Sequence, residues 1–314
     1  MALPEPKVLR LKYQLGELVL GTWRPCLHVL AQPLRDASDW PPDPMQLMSL
    51  LSPGAAGALC RGVGAGQFGP GIGQYGDFLR YLTHNDVVYS VSLQGSFQEY
   101  LRKFSAKSRQ NLTRSVRRYG ERQNGQPVWQ VYTAPDQMPM FHAEALAISQ
   151  QTYQTQLLDA GLSSGPDFVQ NMCALAARGQ ARGYLLRDGS QAIAFAWCRG
   201  DGDQLIYDVI GYVPSAAALS PGTILLFHIL EDLFSLARFT SINFGGGEAQ
   251  YKAMFATDKQ DMADVYLFLP SLRNRALLHL HWFVFRISAA LGAWLERAGL
   301  KQRVKKILRG LKRH

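Results

Sequence analysis

Between Val128 and Leu269 the apolar positions change period several times, from two to about 3.6 and back, and each change marks an element. Alternation over Val128–Thr133 predicts a strand. Helical spacing follows from Pro135-Asp136 through Ser149, and again from Pro166-Asp167 through Leu175, where Gly179 supplies a stop. Three apolar runs then read as a meander: Tyr184–Arg187, Ala192–Trp197 and Leu205–Tyr212. The first turn, Asp188-Gly189, predicts type I′, and a second falls at 200–203. Next come an apolar helix Ile224–Ala237, a short strand Ser241–Phe244, a helix Glu248–Phe255 and a closing strand Val265–Leu269. This order fits an α/β (α+β) sheet domain and not a dinucleotide-binding unit, which alternates strand and helix throughout.

The N-terminal third is patterned more weakly. Val8–Tyr13, Leu27–Leu30 and Val87–Leu93 suggest strands, and Met45–Leu51 suggests a helix. The glycine-rich run from Gly62 to Gly73 reads as a flexible loop, because its spacing does not fit a phosphate-binding fingerprint. Ser96 with Glu99 forms a capping box, and Ser105 caps a basic helix toward Tyr119.

The chemistry concentrates at Ser220-Pro221-Gly222-Thr223, between the strand ending at Tyr212 and the helix from Ile224. A strand entering a helix through such a turn leaves the first N–H groups of the helix unpaired and aimed at one spot. The positive end of the helix dipole lies behind them, so an anion is stabilised there.

Charge alters this picture through its placement. The net charge is +9, yet residues 297–314 hold eight basic residues and no acid, and residues 102–122 hold eight against Glu121. The remaining chain is mildly acidic, so two basic segments face phosphate groups or an anionic surface. Cys26, Cys60, Cys173 and Cys198 are scattered, which argues for reduced thiols and against a metal site. The first residues lack the apolar segment of a secretory signal, giving a cytoplasmic expectation.

Four stretches together resemble the GNAT acyltransferases: Lys107–Leu112, Arg182–Leu186, Ser220–Thr223 and Phe244–Lys252. The resemblance is to the CelD-type branch of cellulose and exopolysaccharide synthesis, which is related to the Fem-type aminoacyltransferases. The loop before the helix keeps only Gly222 of the usual GNAT pattern. The resemblance implies two GNAT-like halves, the N-terminal one degenerate, with boundaries at 1–95, 96–270 and a helical extension 271–314. It further implies acetyl-CoA or another acyl-CoA as co-substrate, with no metal.

By the same resemblance Asp208 is the base and Tyr251 the acid for the leaving thiolate. Tyr207, Val209, Ile210, Gly211, Ser220, Gly222, Thr223 and Lys252 hold the donor. Gln150, Tyr153, Glu248, Gln250, Lys107 and Arg109 face the acceptor, a sugar or lipid-linked glycan precursor. Two alternatives stay open: an accessory subunit of a polysaccharide synthase complex without turnover, or Fem-like transfer from aminoacyl-tRNA, with the basic helix on tRNA phosphate.

The segment Ala276–Leu295 is long enough to span a bilayer, but Arg286, His279 and His281 argue against it. Val304, Ile307, Leu308 and Leu311 recur at helical spacing among basic residues. That predicts an interfacial helix on an anionic membrane surface, at the inner face of the membrane.

Overall fold

The computed structural model describes residues 3–16, 18–31, 40–123, 128–152 and 161–298. Tyr153 and the amphipathic segment 300–314 lie outside the described residues. The chain forms two compact units, Met1–Val87 with Gln260–His314, and Val88–Lys259.

In the first unit β1 (Lys7–Val8) pairs antiparallel with β4 (Cys26–Ala31), which runs parallel to β5 (Gly57–Gly64). The helix α1 (Pro44–Leu50) connects those two, capped by Asp43, whose carboxylate accepts from the N–H groups of Met45 and Gln46. β14 (Asp258–Phe268) pairs with β5 and with β7 (Phe78–Leu82), and β7 pairs with β6 (Gly71–Tyr75). A separate hairpin, β2 (Leu11–Leu15) with β3 (Leu18–Trp23), packs against the long C-terminal helix α8 (Leu272–Arg297).

The glycine run is therefore a loop only over residues 65–70, since its two ends supply the end of β5 and the start of β6. Leu59, Cys60 and Val63 of β5 and Phe78, Leu79, Tyr81 and Leu82 of β7 are buried. Tertiary burial of these side chains outweighs the weak strand propensity of the glycines between them.

The second unit is a sheet in the order β8 (Asp86–Ser92), β13 (Ser241–Asn243), β12 (Gln204–Tyr212), β11 (Gln191–Asp201), β10 (Ala181–Asp188), β9 (Trp129–Tyr132). All neighbours are antiparallel except β12 and β13. Ile193–Cys198 of β11 is buried without alternation because helices cover both faces of the strand. On one face α4 (Met138–Ser149) and α5 (Pro166–Ala177) close a core around Phe141, Met172, Phe195 and Trp197. On the other, α6 (Pro221–Leu236) buries Ile224, Leu225, Leu226, Ile229, Leu230 and Leu233. The helices α2 (Phe97–Leu101) and α3 (Ala106–Arg122) pack behind α6 and carry the predicted capping box and Ser105 cap.

The β10–β11 turn differs from the type I′ expectation. Asp188 still pairs with Gln191, so the two turn residues are Gly189 and Ser190, and only Gly189 has positive φ, at 60°. Glycine at the first central position is the signature of type II′. The displaced Asp188 instead accepts from Arg122 Nη2 at 2.9 Å and from Gln123 Nε2 at 3.0 Å, tying the end of α3 to the sheet.

One buried ionic group joins α6 to the sheet. Arg182 Nη2 donates to Asp232 Oδ2 at 2.6 Å, and the Tyr184 hydroxyl donates to the same oxygen at 2.6 Å. The Arg182 and Asp232 side chains are only 10% and 14% exposed. Burial works against the Arg182 cation, but Tyr184 and Asp232 outweigh it and raise its pKa, while burial pushes the Tyr184 phenol well up. Asp232→Ala should cost about 3–5 kcal/mol by stranding the guanidinium, whereas Arg182→Met with Asp232→Leu should recover most of that. Urea midpoints of the two variants test this; equal losses would mean that the pairing itself carries the stability.

Candidate active site

β12 and β13 run side by side for only three residue pairs, Gln204↔Ser241, Leu205↔Ile242 and Ile206↔Asn243. Beyond Ile206, β12 continues to Tyr212 paired only with β11, so one of its edges opens onto a gap. Within that stretch Trp197 stands opposite Val209 and Cys198 opposite Tyr207, which makes Asp208 the extra residue of a β-bulge. A bulge strengthens the local twist and bends the strand away from its neighbour.

The gap is a cleft of about 620 Å³. One wall is Tyr207, Ile210, Gly211 and Tyr212 of β12, with Phe195 and Thr152 beneath; the other is Ser220–Thr223 and Leu225 of α6, and Tyr251 stands on α7 (Gln250–Phe255). Gly211 is required by contact: a Cβ there would lie 2.6 Å from Phe195 Cε1 and 2.8 Å from Thr152 Cγ2.

Ser220 holds the left-handed conformation, φ 53° and ψ 47°, and its side chain makes no capping hydrogen bond. Its carbonyl accepts from the N–H groups of Thr223 at 3.1 Å and Ile224 at 3.2 Å, which starts the helix, and Pro221 occupies the first turn. A Cβ on Gly222 would meet only Tyr212 Cδ1, at 3.9 Å, so the turn is open on the cleft side. Among the described residues no basic side chain lines the cleft. Pro221 has no N–H and those of Thr223 and Ile224 bond the Ser220 carbonyl, so an anion held here would meet the Gly222 N–H and the positive end of the helix dipole.

Tyr251 packs edge-on to Tyr207 at 6.4 Å and Phe244 at 6.1 Å between ring centroids. Burial pushes its phenol up to about 12. Its helix is secured at both ends. Lys252, 8% exposed, donates to the Gly246 carbonyl at 2.6 Å and the Gly245 carbonyl at 3.3 Å. At the far end the Tyr100 hydroxyl donates to the Phe255 carbonyl at 2.7 Å, and Lys103 donates to the carbonyls of Met254 and Ala256.

The cleft thus gathers Tyr207, Ile210, Gly211, Ser220, Gly222, Thr223 and Tyr251 of the residues expected from sequence. Asp208 lies outside its lining, exposed, and accepts from Arg199 Nε at 3.1 Å. Val209 turns to the core under α4, and Lys252 grips the glycine carbonyls rather than lining the wall. Gln150, Glu248 and Gln250 are exposed and do not line the cleft. Lys107 and Arg109 sit on α3, where Arg109 borders a second hollow with Phe227 and Glu231. Thr152, Phe195, Tyr212, Pro214, Ala217 and Leu225 complete the lining. Phe195 and Leu225 are apolar residues of predicted elements with nothing to single them out, whereas Thr152 belongs to the polar segment 149–153 that the sequence places on the acceptor side. His228 stacks on Trp129 at 5.8 Å with Nδ1 3.1 Å from Glu231, so it serves the packing of α6.

Residues 106–253, a little under half of the chain, match the family model described as an acetyltransferase (GNAT) domain. The fold is similar to that of FemX, at 11% identity with a TM-score of 0.55, over 87% of this chain and 90% of that one. It is also similar to the C-terminal domain of a lysylphosphatidylglycerol synthetase-type protein from Agrobacterium fabrum, at 16% identity with a TM-score of 0.53, over 82% of each chain. No match is found among curated proteins.

If the turn at Ser220–Thr223 holds a pyrophosphate, Gly222→Asp should weaken CoA binding by about tenfold or more, since it adds a side chain and a negative charge at the anion's position. Calorimetric titration with CoA measures this. An unchanged affinity in a folded variant would remove the turn from the donor site.

Proposed function

Starting from a GNAT-type acyltransferase domain, we propose that this chain transfers an acyl group, acetyl in the simplest case, from CoA to an amino or hydroxyl group of a sugar or lipid-linked glycan precursor, in the manner of the CelD-type branch. The observation that carries the donor half is the opened edge of β12 facing an uncapped helix start across one cleft. In this reading the pantetheine arm lies along Tyr207–Tyr212, the pyrophosphate rests at the Gly222 N–H and the positive end of the α6 dipole, and the thioester carbon reaches Tyr251.

The acceptor's lone pair attacks the thioester carbonyl, a C–N or C–O bond forms, and the C–S bond breaks. The departing thiolate takes a proton from the Tyr251 phenol. A phenol pushed up to about 12 stays protonated at neutral pH, which suits a donor and not a base. Asp208 keeps the role of base only if an acceptor draws it from Arg199, 3.1 Å away. An amine acceptor can also lose its proton to water at the cleft mouth.

The likeness to FemX, spanning 87% of this chain, favours a second reading in which the donor is aminoacyl-tRNA. The exposed basic side chains of α3, Lys107, Arg114, Arg117 and Arg118, would then meet phosphate. Titration with acetyl-CoA, longer acyl-CoAs and CoA alone separates the donors: heat with CoA supports the first reading, and none with any thioester supports the second or an accessory subunit without turnover.

Tyr251→Phe should lower kcat by about 10²-fold while leaving the KM for the acyl donor nearly unchanged. Because the folded phenol titrates near 12, its ionisation should produce no alkaline fall in rate between pH 7 and 10. Its contribution to folding is complete below the ordinary tyrosine value of about 10 and is lost as pH rises through about 12. Steady-state rates across that range check the role; an unaltered kcat would remove Tyr251 from the chemistry.

A further inference from the structure

α8 covers its own unit with one narrow face. Leu278 and His281 are buried, the Tyr13 hydroxyl donates to the Leu277 carbonyl at 3.2 Å, and the Gly16 N–H donates to Ser288 Oγ at 2.9 Å. The opposite face carries Leu280, Phe283, Ile287, Leu291 and Trp294, which are 51%, 62%, 41%, 43% and 58% exposed. At about 100° per residue these five fall within an arc of roughly 100°, one continuous apolar row along more than three turns. The hairpin that Gly16 ties to α8 leaves Leu18, Val19 and Leu20 of β3 exposed at 50%, 45% and 56%. Soluble surfaces scatter such residues singly; a contiguous row marks a covered face.

Charge identifies what covers it. Arg275, His279, Arg286 and Arg297 are exposed and, at the same angular spacing, fall together on one flank of the row. The sequence after α8 adds Lys301, Arg303, Lys305, Lys306, Arg309, Lys312 and Arg313 without an acid. A second copy of this chain would bring a like-charged flank against this one. An acidic headgroup layer over hydrocarbon complements both parts at once, with the aromatic row immersed and the arginines at phosphate level. The helix is long and apolar enough to cross a membrane. A transverse orientation, however, would strip Leu278 and His281 from β2 and β7 and place Arg286 in the hydrocarbon.

We propose that α8, with the β3 edge at Leu18–Leu20, is an interfacial platform that lies flat on an anionic bilayer through its outer row. The proposal does not rest on the acyl-transfer reading, and its test does not use activity. The full chain is floated with vesicles of phosphatidylcholine alone and with one third phosphatidylglycerol, at low and at high salt, and compared with Phe283→Glu/Trp294→Glu and Arg275→Glu/Arg286→Glu. All four positions are exposed, and circular dichroism verifies that each variant is folded.

The wild-type chain should float with the anionic vesicles and keep part of its binding in high salt. The aromatic pair should lose about tenfold in partitioning for each side chain removed. The arginine pair should lose the preference for anionic lipid. The Trp294 emission should move to the blue on the same vesicles, a shift absent from Trp294→Phe. Equal flotation of the aromatic variant would show that the 299–314 segment suffices and would overturn the proposal. So would a wild-type chain that does not float, or an aromatic variant that changes from dimer to monomer in sedimentation without a change in flotation.

Discussion

The candidate site depends on the failure of two parallel strands to stay together. β12 and β13 share three residue pairs and then part, and the strand wall of the cleft, Tyr207 and Ile210 to Tyr212, lies on the stretch of β12 that β13 leaves bare. An unpaired strand edge inside a domain costs free energy unless something else takes its N–H and C=O groups. Two features keep the strands apart. The bulge at Asp208 bends β12, and the α6 start inserts Pro221 and Leu225 into the opening. The cleft is therefore a consequence of sheet geometry, and its ligand, on this reading, stands in for the missing strand.

Holding α6 in that opening requires more than its apolar face. Eight of its residues are buried, but apolar packing alone tolerates sliding along the helix axis. The Arg182–Tyr184–Asp232 group fixes the axial position, since three short hydrogen bonds in a nearly dry setting are satisfied at one registration only. Such a group is weak evidence for added stability but does specify one arrangement. Its position along α6 sets where the N-terminal amides point, some three turns away.

Much of this organisation is legible in the sequence because it is local. The Ser-Pro-Gly-Thr turn, the meander and the capping box at Ser96 each declare themselves within a few residues, and the structure has them at those places. The unreadable parts come from distant partners. Asp208 reads as a strand residue aimed at a site, but the bulge that exposes it to Arg199 is a property of two strands in register. Lys252 reads as a phosphate ligand beside three glycines; the chain folds so that those glycine carbonyls are its own ligands. Arg182 carries a charge that local pattern would put outside, and only Asp232, fifty residues on, explains its burial. Thr152 joins the wall through contact with Gly211, which no spacing rule anticipates.

The distribution of charge separates two tasks. In a chain of net charge +9, no basic side chain among the described residues lines the cleft, and the basic residues concentrate in the sequence at 102–122 and 297–314. A lysine in the cleft would hold a pyrophosphate strongly in all its states, including the spent one. The Gly222 N–H and a helix dipole, worth about 0.3–1 kcal/mol at an exposed end, would hold it moderately. For a carrier that must arrive loaded and leave empty, moderate affinity serves turnover, because equal stabilisation of bound substrate and transition state adds nothing to the rate. In the proposed reaction the burial that pushes the Tyr251 phenol up to about 12 would act at the one point where the states differ, the departing thiolate. In that reaction the cleft is electrostatically quiet where the carrier would bind and keeps the Tyr251 proton where the bond would break.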